Sequence, residues 1–193
     1  MKEFEQLISC ILKMVDFSPD DISLFTRNML LRQCRKGSYL LEESKIASAI
    51  FFINKGITRN LSILPDGTEF TQYFSLENTF ITEYASFLNR APAIYSIQCI
   101  ENCEIVEIPK MSIEQGYIHI REGNKLGRLI AENYFTQFVK NAYERQTKTL
   151  MQQYETLDVY FPGIHRRVPQ HMIASYLGIT PVHLSRLKSK SRR

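Results

Sequence analysis

Between about residue 31 and residue 108 the apolar residues take up a strand-like period and appear in short runs. Segments 38–41, 49–53, 57–63, 68–74, 95–100 and 104–108 are rich in Ile, Phe, Thr and Tyr, with turn signals between them. β-Branched and aromatic side chains suit a pleated surface, and strands this short must pair with one another to cover their apolar faces. The sharpest punctuation is Pro65-Asp66-Gly67, where Asp-Gly suits a tight turn joining antiparallel strands; Gly37 and Gly56 mark further turns. The pattern predicts an antiparallel barrel or roll. One interruption, Thr82-Glu83-Tyr84-Ala85-Ser86-Phe87-Leu88, has helical spacing and predicts a short helix embedded between strands.

The flanks are helical. Leu7, Ile8, Ile11, Leu12 and Val15 recur at helical spacing, and Ser18-Pro19-Asp20-Asp21 combines a capping serine, a proline at the first helical position and acids in the first turn. From about residue 111 to 153 the period is again that of a helix, strongest over 124–154. Leu126, Ile130, Tyr134, Phe138 and Ala142 form one apolar stripe, and Phe135, Val139 and Tyr143 form a second beside it. Two stripes fit a helix that packs on its own roll with one and on a second copy of itself with the other; a helix buried in one monomeric core is the alternative. Phe161-Pro162-Gly163 then breaks the chain. The expected architecture is α+β: a roll with N-terminal helices over 1–115, a long helix over 116–154 and a terminal module over 155–193.

Composition excludes several classes. At 44% hydrophobic and 23% charged, the 193-residue chain can bury a globular core, and it has no apolar run long enough for a transmembrane helix. Glu3, Glu5 and Lys13 interrupt the N-terminal apolar stretch, which argues for a cytoplasmic protein over a secreted one. The cysteines, Cys10, Cys34, Cys99 and Cys103, include no C-x-x-C pair. Cys99 and Cys103 share one face if the segment is extended, so a metal or iron–sulfur site is open; isolated buried thiols are the favoured reading. His119, His165, His171 and His183 come with no nucleophile or metal spacing, and an enzyme is not expected.

Charge is unevenly distributed. Residues 164–193 hold seven basic groups and no acid, whereas the first 163 hold 17 basic groups against all 20 acids. A single-sign block beside an acidic remainder points to a polyanion, nucleic acid first; a solvated tail is the alternative. The same segment carries a finer pattern. Pro169 can open a helix running to about Leu177, Gly178 can leave it in a left-handed conformation, and Thr180 can cap a second helix with Pro181 at its first position. Ile173, Leu177, Ile179, Leu184 and Leu187 supply a shared apolar underside, and Ala174 is small enough for a close crossing. This is the pattern of a helix-turn-helix. On the outward face, Arg186 can donate two hydrogen bonds to guanine, His183 can meet a base or a phosphate, and Val182 can meet a thymine methyl. Thr180, Ser185, Lys188, Lys190 and Gln170 complete the candidate DNA-binding set, with Gln170 and the basic tail on phosphates. A phosphate contact or a solvated side chain is the alternative for Arg186.

A small roll, a long helix and a terminal "IASYLGITPVHLSRLK" together resemble the CRP/FNR family of bacterial transcription regulators over essentially the whole chain. "FFINKGITRNLSILPDGTEFTQYF" is similar to the central strands of that family's cyclic-nucleotide-binding-like sensor domain, and "VPQHMIASYLGITP" is similar to its Bacteroidetes branch. The resemblance implies a homodimer joined along the long helix, a near-palindromic double-stranded operator, and RNA polymerase as a further partner. Relatives that bind cyclic AMP hold it with a Gly-Glu pair and, about ten residues later, an Arg-Ser or Arg-Thr. Here Glu83 matches the glutamate, Thr82 replaces the glycine, and Ala93-Ile94 stand at the phosphate-binding positions. Arg90 lies three positions early. Glu83, Tyr84 and Arg90 are therefore the candidate effector pocket, with cyclic AMP not expected there and no cofactor assigned. A sensor acting through protein partners is the alternative function.

Overall fold

In the computed structural model, which describes residues 2–191, two four-stranded antiparallel sheets form the roll. A short 3-10 turn leads into α1 (Glu5–Leu12), and α2 (Pro19–Thr26) starts with the expected capping box: the Ser18 hydroxyl accepts from the Asp21 N–H while the Asp21 carboxylate accepts from the Ser18 N–H. The strands are β1 (Leu30–Cys34), β2 (Tyr39–Leu41), β3 (Ala49–Lys55), β4 (Thr58–Ile63), β5 (Glu69–Ser75), β6 (Phe80–Ile81), β7 (Ser96–Cys99) and β8 (Cys103–Pro109). One sheet has the order β1-β8-β3-β6 and the other β2-β7-β4-β5. Helix α3 (Tyr84–Asn89) sits between β6 and β7 where helical spacing interrupts the strands. At the β4–β5 hairpin Gly67 takes φ +82°, its N–H donating to the Leu64 carbonyl at 2.8 Å. That conformation is cheap only for glycine, which is why the Asp-Gly pair sits there.

Two strands, β1 and β6, leave no mark in the pattern. In β1 only Cys34 is buried, so no alternation betrays it, and β6 is two residues long. The helical region also differs from a single rod over 116–154. It is α4 (Lys110–His119), α5 (Gly123–Thr147), α6 (Leu150–Glu155) and α7 (Leu157–Tyr160). Lys148 is extended, and Thr149 starts α6 with a second capping box through Gln152. A capping residue inside an apolar repeat stops one helix and starts the next, and the repeat alone does not reveal the interruption. Glycines set the α4–α5 angle: a Cβ on Gly123 would lie 2.0 Å from the Gly116 carbonyl oxygen.

The last helices are α8 (Ile164–Arg167), α9 (Gln170–Tyr176) and α10 (Pro181–Ser191). They share a core with the roll. Leu157, Phe161, Ile164, Val168, Ile173, Ala174, Leu177 and Leu184 pack in one cluster with Ile57, Phe74 and Ile100 of the strand region. The Phe161 ring meets Tyr73, Phe74 and Tyr176 at centroid distances of 5.1, 5.7 and 5.8 Å. Around this apolar centre lie directional bonds. The Ser175 hydroxyl donates to the Glu69 carbonyl at 2.7 Å and accepts from the Thr71 N–H at 2.8 Å, satisfying backbone groups on β5, the last strand of its sheet. Arg145 of α5 lies over the Tyr176 ring and donates to the Gln72 carbonyl at 2.7 Å. Arg167 forms a fork with both oxygens of Glu77 and a further bond to Glu101.

Glu77 provides a pH test of this docking. Burial pushes its pKa up, but the hydrogen bond from Arg167, with backbone N–H groups including that of Gly56, holds it below its ordinary value of 4.5. A carboxyl lowered by folding contributes stability that is present above its ordinary pKa and lost as the pH falls through the lowered one. Urea midpoints measured from pH 7 downward should therefore fall below about pH 4.5. In Glu77→Gln the protein should start less stable and lose less on acidification; an unchanged pH slope would remove Glu77 from the docking.

Candidate nucleic-acid interface and effector pocket

The terminal segment brings its predicted elements together. Helix α9 ends in a left-handed Gly178 (φ +68°). The Ile179 N–H reaches back to the Ala174 carbonyl at 3.0 Å and the Gly178 N–H to Ser175 at 3.1 Å. This pair of bonds closes the helix end and aims the chain at α10. The Thr180 hydroxyl accepts from the His183 N–H at 3.2 Å, capping α10 ahead of Pro181. Ile173, Ala174, Leu177 and Leu184 are buried between the two helices and the roll, with Ile179 and Leu187 half-buried at the margin.

The opposite face of α10 is open. Val182 is 63% exposed, and His183, Ser185 and Arg186 are exposed beside it. Arg186 has no acidic partner among the described residues, so its fork of donors is free for an external acceptor. Gln170 and Lys188 differ from the other candidates. The Lys188 ammonium donates to the Gln170 side-chain carbonyl at 2.9 Å, tying the start of α9 to the last turns of α10. The side chain of Lys190, with Arg192 and Arg193, lies outside the described residues.

The second set, Glu83, Tyr84 and Arg90, lies on α3. Glu83 is buried and caps the helix itself, its carboxylate accepting from the Ala85 N–H at 3.2 Å and the Ser86 N–H at 2.9 Å. Arg90 sits at the other end of α3, exposed and left-handed (φ 56°), and no hydrogen bond or ion pair joins it to Glu83 among the described residues. Ala93 is buried and Ile94 is 69% exposed. Thr82, the residue in place of glycine, is buried and donates to the Ala49 carbonyl at 2.9 Å, while the Tyr95 hydroxyl donates to the Thr82 carbonyl at 3.2 Å. Tyr84 links this corner to α5: its ring stacks on Phe87 and meets Tyr134 at 5.9 Å.

Residues 31–118 match the cyclic nucleotide-binding domain family. No curated protein matches the chain by sequence. Its fold is shared with solved structures at low identity. The c-di-GMP-responsive global regulator CLP of Xanthomonas campestris is 14% identical, with 91% of this chain and 92% of that one covered and a TM-score of 0.71. A protein of Eubacterium rectale described as a crp/fnr-family transcriptional regulator is 12% identical, covering 100% and 88%, at a TM-score of 0.73. The catabolite activator protein of Thermus thermophilus is 15% identical, covering 98% and 86%, at 0.54.

Within residues 31–118, one arginine that the sequence did not single out is buried. Arg59 of β4 is 2% exposed, but its guanidinium already serves Gln98, Thr71 and Glu69 through four hydrogen bonds. Among the described residues no group of three or more His, Cys, Asp or Glu side chains is arranged to hold a metal ion, and no helix is long and apolar enough to cross a membrane.

The capping role of Glu83 is testable without a ligand. Glu83→Ala leaves two N–H groups of α3 without their acceptor and should cost about 1–2 kcal/mol in denaturant unfolding. Glu83→Gln keeps one acceptor oxygen and should cost less; equal losses for the two variants would mean that packing, and not the cap, sets the effect.

Proposed function

We propose that the chain is a homodimeric, sequence-specific DNA-binding transcription regulator of the CRP/FNR type. The observation that carries the reading is the outward face of α10: Val182, His183, Ser185 and Arg186 exposed on a capped helix whose underside is held by α9. A helix presented in this way fits the major groove, where Arg186 would read guanine and the neighbouring residues would meet adjacent bases and phosphates. Gln170 and Lys188, bonded to each other, would brace the pair and offer their remaining donors to the backbone. The basic tail would add affinity that carries no sequence information.

Dimerisation is supported by α5. Leu126 is buried and Ile130 half-buried against the roll, but Phe135, Phe138 and Tyr143 are 66, 63 and 66% exposed in the single chain. Aromatic residues at helical spacing on an open face are costly in water and fit a second copy of the same helix. Two α10 helices on a two-fold dimer would reach successive major grooves about 34–36 Å apart. The sensor half is read as a roll whose nucleotide-type anchor has changed. With Glu83 engaged in capping α3 and no arginine at positions 93 and 94, a cyclic phosphate would lack its cation, so the effector is of another kind or absent.

Selection from random double-stranded DNA should recover a near-palindromic site whose affinity falls steeply with salt. Arg186→Ala should cost about 1–3 kcal/mol and relax preference at one base position per half-site. Uniform weakening on all sequences would make Arg186 a phosphate contact, and failure to enrich any sequence at low salt would favour a sensor that acts through protein partners. Phe138→Glu should yield a monomer by sedimentation, with half-site binding only; a variant that stays dimeric would place the interface elsewhere.

A further inference from the structure

Three of the four cysteines, expected as isolated thiols, meet at one end of the roll. Cys34 closes β1 and Cys103 opens β8, directly opposed in the antiparallel register. Cys99 ends β7 in the other sheet, and the chain bends over residues 100–102 between Cys99 and Cys103. All three are buried. The Cys103 sulfur lies 3.5 Å from the Ile57 carbonyl and 3.3 Å from the Glu101 carbonyl. Cys99 is paired with Thr58, next to Ile57, and the Ile100 N–H donates to that same Ile57 carbonyl. This brings Cys99 and Cys103 to one point of the backbone, with Cys34 and Ser38 beside them. Gly56 holds φ +104°, and a Cβ there would fall 2.5 Å from the Cys103 sulfur, so only glycine leaves that sulfur its place.

The cluster is joined to the docking of the terminal helices at two points. Residues 100–102 carry Ile100, which packs in the core shared with α8–α10, and Glu101, which binds Arg167. The Gly56 N–H, beside the Cys103 sulfur, donates to Glu77 at 2.9 Å, and Glu77 is the other carboxylate on Arg167. Both acids that hold Arg167 are thus fixed through residues touching the thiols. We propose that Cys99 and Cys103 form an oxidisable pair whose disulfide, made by reducing a hydroperoxide, reshapes residues 100–102 and loosens α8 and α9 from the roll.

The chemistry is assigned by the neighbours of each sulfur. Hydrogen bonding from Cys103, with Ser38 and Cys34 and the charge of Arg32, outweighs burial and lowers Cys99 below an ordinary thiol, while Cys103 is pushed up by the same partner and by burial. Cys99 is therefore the nucleophile. Its thiolate attacks the terminal peroxide oxygen: an S–O bond forms, the O–O bond breaks, and the departing alkoxide or hydroxide takes up the proton that left the Cys99 thiol. Cys103 then attacks the Cys99 sulfur, an S–S bond forms, and the hydroxyl of the sulfenic acid leaves as water with the Cys103 proton. In total two thiols and one hydroperoxide give one disulfide, one alcohol or water, and one water, with two electrons passing from sulfur to oxygen.

The test uses the full-length protein and hydrogen peroxide. No Lys or Arg lies between Ala91 and Pro109, so Cys99 and Cys103 share one tryptic peptide, whereas Cys34 leaves in the short Gln33-Cys34-Arg35. The expected result is loss of two of the four thiols under denaturing titration. The 91–110 peptide should lose two hydrogens without a cross-link, and amide exchange over 164–177 should quicken. A thiol reductant should reverse all three. Cys99→Ala and Cys103→Ala should abolish the response, and Cys10→Ala and Cys34→Ala should keep it. Circular dichroism checks that each variant folds, and peptide mapping of the wild type decides the linkage if one does not. Four intact thiols after peroxide, a linkage to Cys34 or Cys10, oxidation of Cys99 to an acid without a bridge, or a bridge that leaves exchange over 164–177 unchanged would each overturn the proposal.

Discussion

The ring of Phe161 is where the two halves of the molecule become one. It lies at the break that the sequence marks with Pro162 and Gly163, and it is wedged among Tyr73 and Phe74 from the roll and Tyr176 from α9. Helices α7 to α10 are each short, between four and eleven residues, and a set this small cannot close an apolar core unaided. Ile57, Phe74 and Ile100 complete it. The surrounding polar contacts, Ser175 on β5, Arg145 on Gln72 and Arg167 on its two carboxylates, add direction to an attachment that apolar burial drives.

That arrangement bears on how a change in the roll can reach the helices around it. The roll touches the terminal helices through Ile57, Phe74 and Ile100, and it touches α5 through Tyr84 and Tyr134 beside α3. A change at α3 therefore has a physical route to the open aromatic face of α5, and a change in residues 100–102 has a route to α8. The two routes meet at α5, whose Arg145 lies over the Tyr176 ring of α9 and donates to the Gln72 carbonyl of β5. The corner itself is tightly occupied: Glu83 caps α3, Thr82 bonds Ala49, and Tyr95 bonds the Thr82 carbonyl.

Much of this was legible in the sequence where a local rule had one solution. Ser18 before Pro19, Gly178 after α9 and Thr180 before Pro181 each mark a helix end by the backbone groups they satisfy, and all three ends stand where those residues placed them. The α3 interruption and six of the strands were readable from spacing for the same reason. What the sequence hid depends on partners distant in the chain. Strand β1 looks polar because only Cys34 turns inward, and the end of α5 at Thr147 is decided by Thr149 and Gln152 competing for backbone groups. In the sequence Arg167 stands in a basic block, yet it is held by Glu77 and Glu101, 90 and 66 residues away. The thiol group was invisible for a related cause: Cys34 and Cys103 become neighbours only through strand register.

Ser175 has a further meaning as a guard. Strand β5 is the last of its sheet, and its outward backbone groups at Glu69 and Thr71 are satisfied by one hydroxyl from α9. A strand edge stripped of such a cover is a template for pairing with other chains. Whatever moves α9 away from the roll also uncovers a sticky rim, so the chain's freedom to rearrange its terminal helices is bounded by its need to stay dispersed in a crowded solution.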